Sequence, residues 1–518
     1  MKLKLNADNS KIILVESTKA ELNQLKLFLT RKVKNYRFSP RFKLGLWNGD
    51  IDYFKDGFMD FGLWNEVYKC CRQYGYPFII QNQEQFPIDL SITRETIDAF
   101  VKDFFKDHKT QDGLSPFTPH DHQIDGIYQI LKYHYGLLQV ATAGGKSLIY
   151  GSLLFYYLKF INPQAKFLLI VPNINLVTQF YNDIMDYNYG FKNENKNPME
   201  IKIEEIMSDN PRKYHGEQEA NIFIGTYQSL EKKQRDFFSK FDVVCCDESH
   251  LAKAQSLISI LSRTFGTAKM RFGMSGTFPD TTTSEILTIE SLMGPILVNI
   301  SARSLMDKGL ITNIKIKAIM LQHNNREFAN GVAKIRKFDG AKAFHLEREY
   351  IHNSAKRKKF IKVLVDKFTQ NSLLLFHTIE YGTDLYDFLR DNCVGKDIYF
   401  IDGSIKNEKR EYIKKMMEDT SGNPKILVAS YGTLSTGVSI RAITNIVFCD
   451  SYKSFRVVMQ SVGRGMRIHS EKAKLVVFDL VDVFYPGIKT ILISHYESRR
   501  DEIYKKQKFD FDERKIAL

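Results

Sequence analysis

The chain has 518 residues, 43% of them hydrophobic and 26% charged, with a net charge of +14. That length exceeds a single ordinary core, and the composition excludes an intrinsically disordered chain. No apolar run approaches the ~20 residues needed to span a bilayer, so a membrane partner is not expected, and the positive balance favours a polyanion, most simply nucleic acid.

Residues 1–110 read as a first, small α/β unit. A strand over 11–16 is followed by a helix over 17–28 with a Ser/Thr cap. Between positions 26 and 43 stand seven basic residues, among them Arg37 and Arg41, and no acidic one. Aromatic residues interleave with them, ending in Trp47. Cations beside aromatic faces suit phosphate contact with base stacking; a small aromatic core with a solvated face is the alternative. Gly45, Gly49, Gly57 and Gly62 are expected to mark hairpin turns. Residues 92–106 read as a helix and residues 106–119, with Gly and two Pro, as a linker.

Beyond residue 119, strand alternates with helix. Apolar strand cores fall at 137–141, 167–171, 222–225, 243–247 and 272–275, then at 373–377, 398–401, 426–430, 446–450 and 475–479. Near-continuous apolar strands separated by helices specify buried parallel sheets, here two of them. The expected division is 1–110, 111–305, 306–490 and a helical tail over 491–518, within which the mixed charge of 497–514 reads as a solvent-facing helix. The six cysteines form no metal-ligand pattern and read as reduced core thiols, which fits a cytoplasmic protein.

The first sheet opens with Ala-Thr-Ala-Gly-Gly-Lys-Ser over 141–147, a strand, tight loop and helix. Backbone N–H groups of such a loop cradle an anion, so Thr142, Ala143, Gly144, Gly145, Lys146 and Ser147 are the candidate phosphate site. Lys146 would reach the β/γ-phosphates of ATP and Ser147 would hold Mg²⁺. Val140 occupies the position of the first glycine of the strict pattern, and Ala143 stands where a glycine is common. About 100 residues on, the apolar strand 243–247 delivers Asp247 and Glu248 to its carboxyl end. Asp247 suits a second Mg²⁺ contact, and Glu248 suits a base for the attacking water.

Asp247-Glu248-Ser249-His250 resembles motif II of the superfamily-2 helicases. The resemblance extends in order along the chain. Gln123 is similar to the adenine-reading glutamine, Pro172 lies in a motif Ia-like segment, and Thr226 lies in a motif Ib-like one. Ser275 and Thr277 resemble motif III, and residues 375–377 stand where motif IV falls. Ser430, Thr436 and Gly437 lie in a segment similar to motif V. Gln460, Arg464 and Arg467 match the Gln-x-x-Gly-Arg-x-x-Arg of motif VI, whose arginines would stabilise γ-phosphate charge from a second lobe. Ser439 departs from the aspartate many members carry near the ribose.

A more specific resemblance is to the UvsW helicases of T-even-type phages, carried by residues 36–49, 61–63, the motif V elements and 460–467. It implies two tandem RecA-like parallel-sheet lobes preceded by a small α/β DNA-binding domain. It also implies a monomeric, phage-encoded enzyme in the host cytoplasm, with ATP and Mg²⁺ as cofactors. Its partners would be single-stranded, duplex and branched DNA, with RNA–DNA hybrids possible. The implied activities are fork regression, branch migration, R-loop unwinding and strand annealing. Three alternatives stay open: a DNA-binding or annealing factor with a vestigial ATPase, an RNA helicase, and a restriction-type translocase subunit.

Overall fold

The computed structural model describes residues 1–109, 117–190, 195, 197–208, 211–213, 219–405, 407–432, 440, 442–451 and 474–518. Two compact units emerge: Met1–Ala141 with Gly145–Ile300, and Ser301–Leu518 with Thr142–Gly144.

The first unit begins with strands β1 (Lys2–Leu5), β2 (Lys11–Glu16), β3 (Thr30–Lys32), β4 (Asp50–Asp52), β5 (Phe58–Asp60) and β6 (Ile79–Ile80). Four form a small sheet in the order β5-β2-β1-β6, while β3 and β4 pair separately as an antiparallel ribbon. The helix Lys19–Phe28 starts at a reciprocal cap. Thr18 Oγ1 accepts from the Glu21 amide at 3.2 Å, and Glu21 Oε2 accepts from the Thr18 amide at 2.7 Å.

Seven parallel strands follow: β7 (Tyr135–Val140), β8 (Phe167–Val171), β9 (Ile203–Ile206), β10 (Ile222–Thr226), β11 (Val243–Asp247), β12 (Met270–Ser275) and β13 (Ile296–Ile300), ordered β13-β7-β12-β11-β8-β10-β9. The central strands β8, β10 and β11 are buried along their whole length, as their unbroken apolar runs require. The second unit holds β14 (Ile314–Gln322), β15 (Ser372–Phe376), β16 (Asp397–Ile401), β17 (Lys425–Ser430), β18 (Asn445–Phe448), β19 (Leu475–Val483) and β20 (Asp510–Ala517). They make a second seven-stranded parallel sheet, β16-β17-β15-β18-β19-β14-β20. The fold is α/β, with two parallel-sheet lobes behind a small N-terminal sheet.

Three expectations are corrected by this packing. The segment after residue 490 is not a helical, solvent-facing tail. The helix Ile491–Arg499 continues as one π turn to Lys505, and β20 then adds an edge strand beside β14. Charge periodicity hid this because Arg499, 2% exposed, turns inward onto Asp479 with contacts of 2.8 and 3.0 Å, and Tyr504 donates to the same carboxylate at 2.7 Å. The helix Arg94–Phe104 does not pack with the small first sheet. Ile97, Phe100 and Val101 lie in one core with Phe155 and Tyr156 of the helix Lys146–Tyr156, which covers the first parallel sheet. Gly62 is not a hairpin turn: it sits in the 3₁₀ turn Phe61–Leu63, where a Cβ would meet the Glu290 carbonyl oxygen at 2.0 Å. Residues 110–116, half of the expected linker, lie outside the described residues.

Gly62 therefore lets the small domain seat directly on the helix Ser284–Met293 of the first parallel sheet. Tyr53 adds a hydroxyl bond to the Ser284 carbonyl at 2.6 Å, and Phe61 meets Tyr135 edge-on at 4.8 Å. Glu290 is buried in this joint. Burial, with the nearby Glu66 carboxylate adding to it, pushes its pKa from 4.5 up to about 7. A carboxyl raised on folding contributes fully below pH 4.5 and loses that contribution as pH rises through 7. Glu290→Gln is therefore expected to raise the melting temperature at pH 8, by about 2 kcal/mol of stability, with the gap closing as pH falls to 4.5. Thermal melts followed by circular dichroism across that range test it; a gap that does not change with pH would refute it.

Candidate nucleotide site

In a parallel sheet every strand ends on the same edge, and ligands bind there. The first lobe's carboxyl edge collects the segment after β7, Pro172 after β8, Thr226 ending β10, Asp247 ending β11 and Ser275 ending β12.

Strand β7 ends at Val140, which is fully buried in the core. It serves as a strand residue, and the turn begins after it. The backbone turns left-handed at Ala143 (φ +67°) and again at Gly145 (φ +84°), which caps the helix Lys146–Tyr156. That helix is buried on nearly every face, so its amino end is rigidly aimed. Gly145 is favoured by its φ, and the Gln123 side chain lies close by: a Cβ there would come 2.1 Å from Gln123 Nε2, which would have to move aside. Gln123 sits in the first turn of the helix Asp121–Tyr133, with its Oε1 accepting from the His120 amide at 2.8 Å. Its amide thus braces the loop's last turn.

Lys146 Nζ lies 3.5 Å from Asp247 Oδ1 and 3.2 Å from Glu248 Oε1. Burial alone would strip its charge, but the two carboxylates outweigh that and hold the ammonium well above its ordinary value. Burial dominates at Asp247 and raises its pKa. At Glu248 burial is outweighed by Lys146 and His250, and the carboxyl falls well below the usual range. Glu248 also adopts left-handed backbone (φ +49°), a strained conformation of the kind that clusters at functional sites.

From Glu248 the polar contacts run on without a break. His250 Nδ1 stands 3.1 Å from Glu248 Oε2 and 2.7 Å from Ser275 Oγ. Ser275 Oγ in turn donates to the Thr277 carbonyl at 2.8 Å. The structure thus brings together Lys146, Asp247, Glu248, His250, Ser275 and Thr277. Thr226 Oγ1 caps the helix Tyr227–Glu231 through the Ser229 amide at 3.4 Å. Ser430 ends β17 at the corresponding edge of the second sheet. Thr436, Gly437, Gln460, Arg464 and Arg467 lie outside the described residues. In the small domain Arg37 and Arg41 are exposed, whereas the Trp47 indole is half-buried and donates to the Asp50 carbonyl at 2.7 Å.

Tyr187 and Gly273 carry no sequence signal. Ser147 Oγ is 3.0 Å from the hydroxyl of Tyr187, near the end of the helix Ile174–Tyr189. Ser249 Oγ donates to the Met274 carbonyl at 3.1 Å, packed where a side chain on Gly273 would come within 2.6 Å. Both depend on contacts between distant segments. Only the pairing of β11 with β12 brings Gly273 beside Cys246 and so near Ser249.

The donor set fits a hard divalent cation such as Mg²⁺: Ser147 offers a hydroxyl, and Asp247 Oδ1 is buried and accepts no hydrogen bond. Among the described residues no cluster of three or more His, Cys, Asp or Glu could hold a metal by itself, which leaves room for phosphate oxygens and water to complete a shell. No helix among them is long and apolar enough to cross a membrane, and all six cysteines are buried free thiols.

Three family models match the chain: "DNA helicase UvsW, N-terminal" over residues 2–81, "Type III restriction enzyme, res subunit" over 116–280, and "Helicase conserved C-terminal domain" over 355–469. The ATP-dependent DNA helicase uvsW of Enterobacteria phage T4 is 29% identical over 488 residues, covering 93% of this chain and 91% of that protein. The crystal structure of T4 UvsW covers all of both chains at 25% identity with a TM-score of 0.48. The Type ISP restriction-modification enzyme LlaBIII bound to DNA shares the fold: TM-score 0.55 and 14% identity, over 78% of this chain and 31% of that one.

Ala143 is the loop's one non-glycine residue in left-handed backbone among residues 141–145. Ala143→Gly is expected to stabilise the protein by about 1 kcal/mol by releasing that strain, offset in part by the freedom glycine gains when unfolded. Denaturant midpoints would show it; a destabilised variant would mean that the loop relies on the Ala methyl.

Proposed function

We propose, for a chain that is a UvsW-like helicase of superfamily 2, that it is an ATP-driven motor acting on branched DNA. Its work would be fork regression, branch migration, R-loop unwinding and strand annealing in replication, recombination and repair. The observation that carries this is the Lys146 ammonium clamped between Asp247 and Glu248, with Glu248 running on to His250, Ser275 and Thr277.

In this reading ATP lays its β- and γ-phosphates over the amino end of the helix Lys146–Tyr156, and Lys146 exchanges its carboxylate partners for phosphate oxygens. Mg²⁺, held by Ser147 and Asp247, would neutralise phosphate charge there. Glu248, kept ionised, takes a proton from the attacking water. Gln123 reads the adenine, and Thr142 to Gly145 supply backbone donors. Gln460, Arg464 and Arg467 from the second lobe meet the charge that develops on the γ-phosphate, and Gly437 approaches the nucleotide. Once Lys146 is drawn away, Glu248 retains His250 as its partner, and the change passes to Ser275 and Thr277. Pro172, Thr226, Ser430 and Thr436 grip the DNA backbone from the two lobes. Arg37, Arg41 and Trp47 hold the branch. The match of residues 2–81 to the UvsW N-terminal model favours this over a restriction-type translocase or an RNA helicase. We propose a monomer that works in the host cytoplasm.

Glu248→Gln keeps the shape of the site and removes the base. It is expected to lower DNA-stimulated ATP hydrolysis by at least about a hundredfold while DNA binding persists. Lys146→Ala is expected to lose turnover as well, and about 3 kcal/mol of stability, because two buried carboxylates lose their cation. Steady-state ATPase assays with and without DNA, alongside binding isotherms at several salt concentrations, test both. Normal stimulated turnover in Glu248→Gln would overturn the assignment.

A further inference from the structure

The ribbon β3–β4 carries an excursion, residues 33–49, whose root is tightly organised. The Val33 amide donates to the Gly49 carbonyl at 2.8 Å, and Lys32 pairs with Asp50 at 2.9 Å. The Tyr36 ring packs close to Gly49, where a Cβ would come within 2.3 Å, and meets Phe42 edge-on at 4.8 Å. The Leu46 amide closes back onto the Arg41 carbonyl at 2.9 Å. This is a built finger rather than a loose loop.

Its outer surface breaks the usual rule for exposed residues. Phe38 is 76% exposed, Leu44 72% and Leu46 70%. Gly45, between the two leucines, turns left-handed (φ +69°) with no atom within 4 Å of where its Cβ would stand. Two exposed leucines thus flank an open turn, in a segment that carries exposed Arg37, Arg41 and Lys43 and no acidic residue from 26 to 49. A purely electrostatic DNA contact has no use for an apolar turn. A monomer gains nothing by exposing one, and the basic surround disfavours a second copy of the same finger. Apolar side chains flanked by cations are what unstacks base pairs: the cations hold phosphates while the apolar group replaces the lost stacking. The root is also anchored. Tyr53, just after β4, bonds the Ser284 carbonyl and Thr288 on the helix Ser284–Met293 of the ATP-site lobe.

We infer that the finger is a strand-separating wedge, with Leu44 and Leu46 inserting at the terminal base pair of a DNA branch and Arg37 and Arg41 gripping the flanking phosphates. This rests on the reading of the chain as a branched-DNA motor. It adds that separation is done by a pin outside the two lobes, fixed to the first.

The test uses full-length protein without nucleotide and a three-way junction carrying 2-aminopurine at the first pair of one arm. Wild-type protein is expected to brighten the probe. Leu44→Ser/Leu46→Ser is expected to need about tenfold more protein for the same brightening, while its binding to linear duplex and its duplex-stimulated ATPase stay unchanged. Arg37→Ala/Arg41→Ala should instead weaken binding to junction and duplex alike and flatten its salt dependence. A leucine variant that brightens the probe like wild type would overturn the wedge. So would a wild-type dimer in sedimentation that the leucine changes dissociate, since the turn would then be a contact between copies. Glu248→Gln should brighten the probe normally, so loss of the motor reading and loss of the wedge are separable.

Discussion

Everything at the first sheet's carboxyl edge depends on keeping one ammonium charged where water is scarce. Lys146 lies at the start of a buried helix and Asp247 and Glu248 at the end of a buried strand, 101 and 102 residues later. Neither side is tolerable alone, because an unpaired charge in this environment costs several kcal/mol. The pairing therefore fixes helix against strand as well as defining chemistry. It also explains why Glu248 accepts left-handed backbone: the turn swings its carboxylate toward Lys146 on one side and His250 on the other.

That edge is tied to the small domain through one element. The helix Ser284–Met293 follows β12, and so follows Ser275 and Thr277, by a short connection. The same helix receives Tyr53, the backbone at Gly62 and the buried Glu290 joint. The small domain therefore packs on the helix that next follows the polar chain in sequence, across the irregular residues 276–283. Were the small domain to hold nucleic acid, as proposed above, this helix would be the element that links that contact to the first sheet's edge.

Much of this was legible in the sequence because it lies in uninterrupted apolar strands. Residues 167–171 and 243–247 carry no polar side chain before the terminal Asp247, and the strands fall where the pattern places them. Of the four strands of the large sheets that escaped, β13 is a short, mainly apolar edge run and the other three have mixed faces. β9 and β14 alternate, and β20 reads Asp-Phe-Asp-Glu-Arg-Lys-Ile-Ala, an edge strand whose pairing with β14 satisfies its backbone while its side chains remain in water. At the site, contiguous residues such as 141–147 and 247–250 are visible as motifs. Tyr187 beside Ser147 and Gly273 beside Ser249 are not, since nothing local marks a contact made by distant segments.

The second lobe shows buried charges that are satisfied in a different way. Arg357 is 1% exposed, yet its Nε donates to Asp482 at 2.9 Å, Nη1 to the Tyr381 hydroxyl at 2.7 Å and Nη2 to the Cys449 carbonyl at 2.9 Å. Arg499 is likewise bidentate on Asp479. A guanidinium so fully matched has nothing to gain from a ligand, and its planar fork cannot be redirected cheaply. Lys146 is held more loosely, at 3.2 and 3.5 Å, by two carboxylates that compete for it, and Asp247 Oδ1 receives no hydrogen bond. A point charge on a flexible stem can leave such partners for phosphate oxygens of equal charge without being desolvated a second time. The under-satisfied pair is therefore the exchangeable one, and lysine suits that position where arginine, with its fixed fork, would lock it.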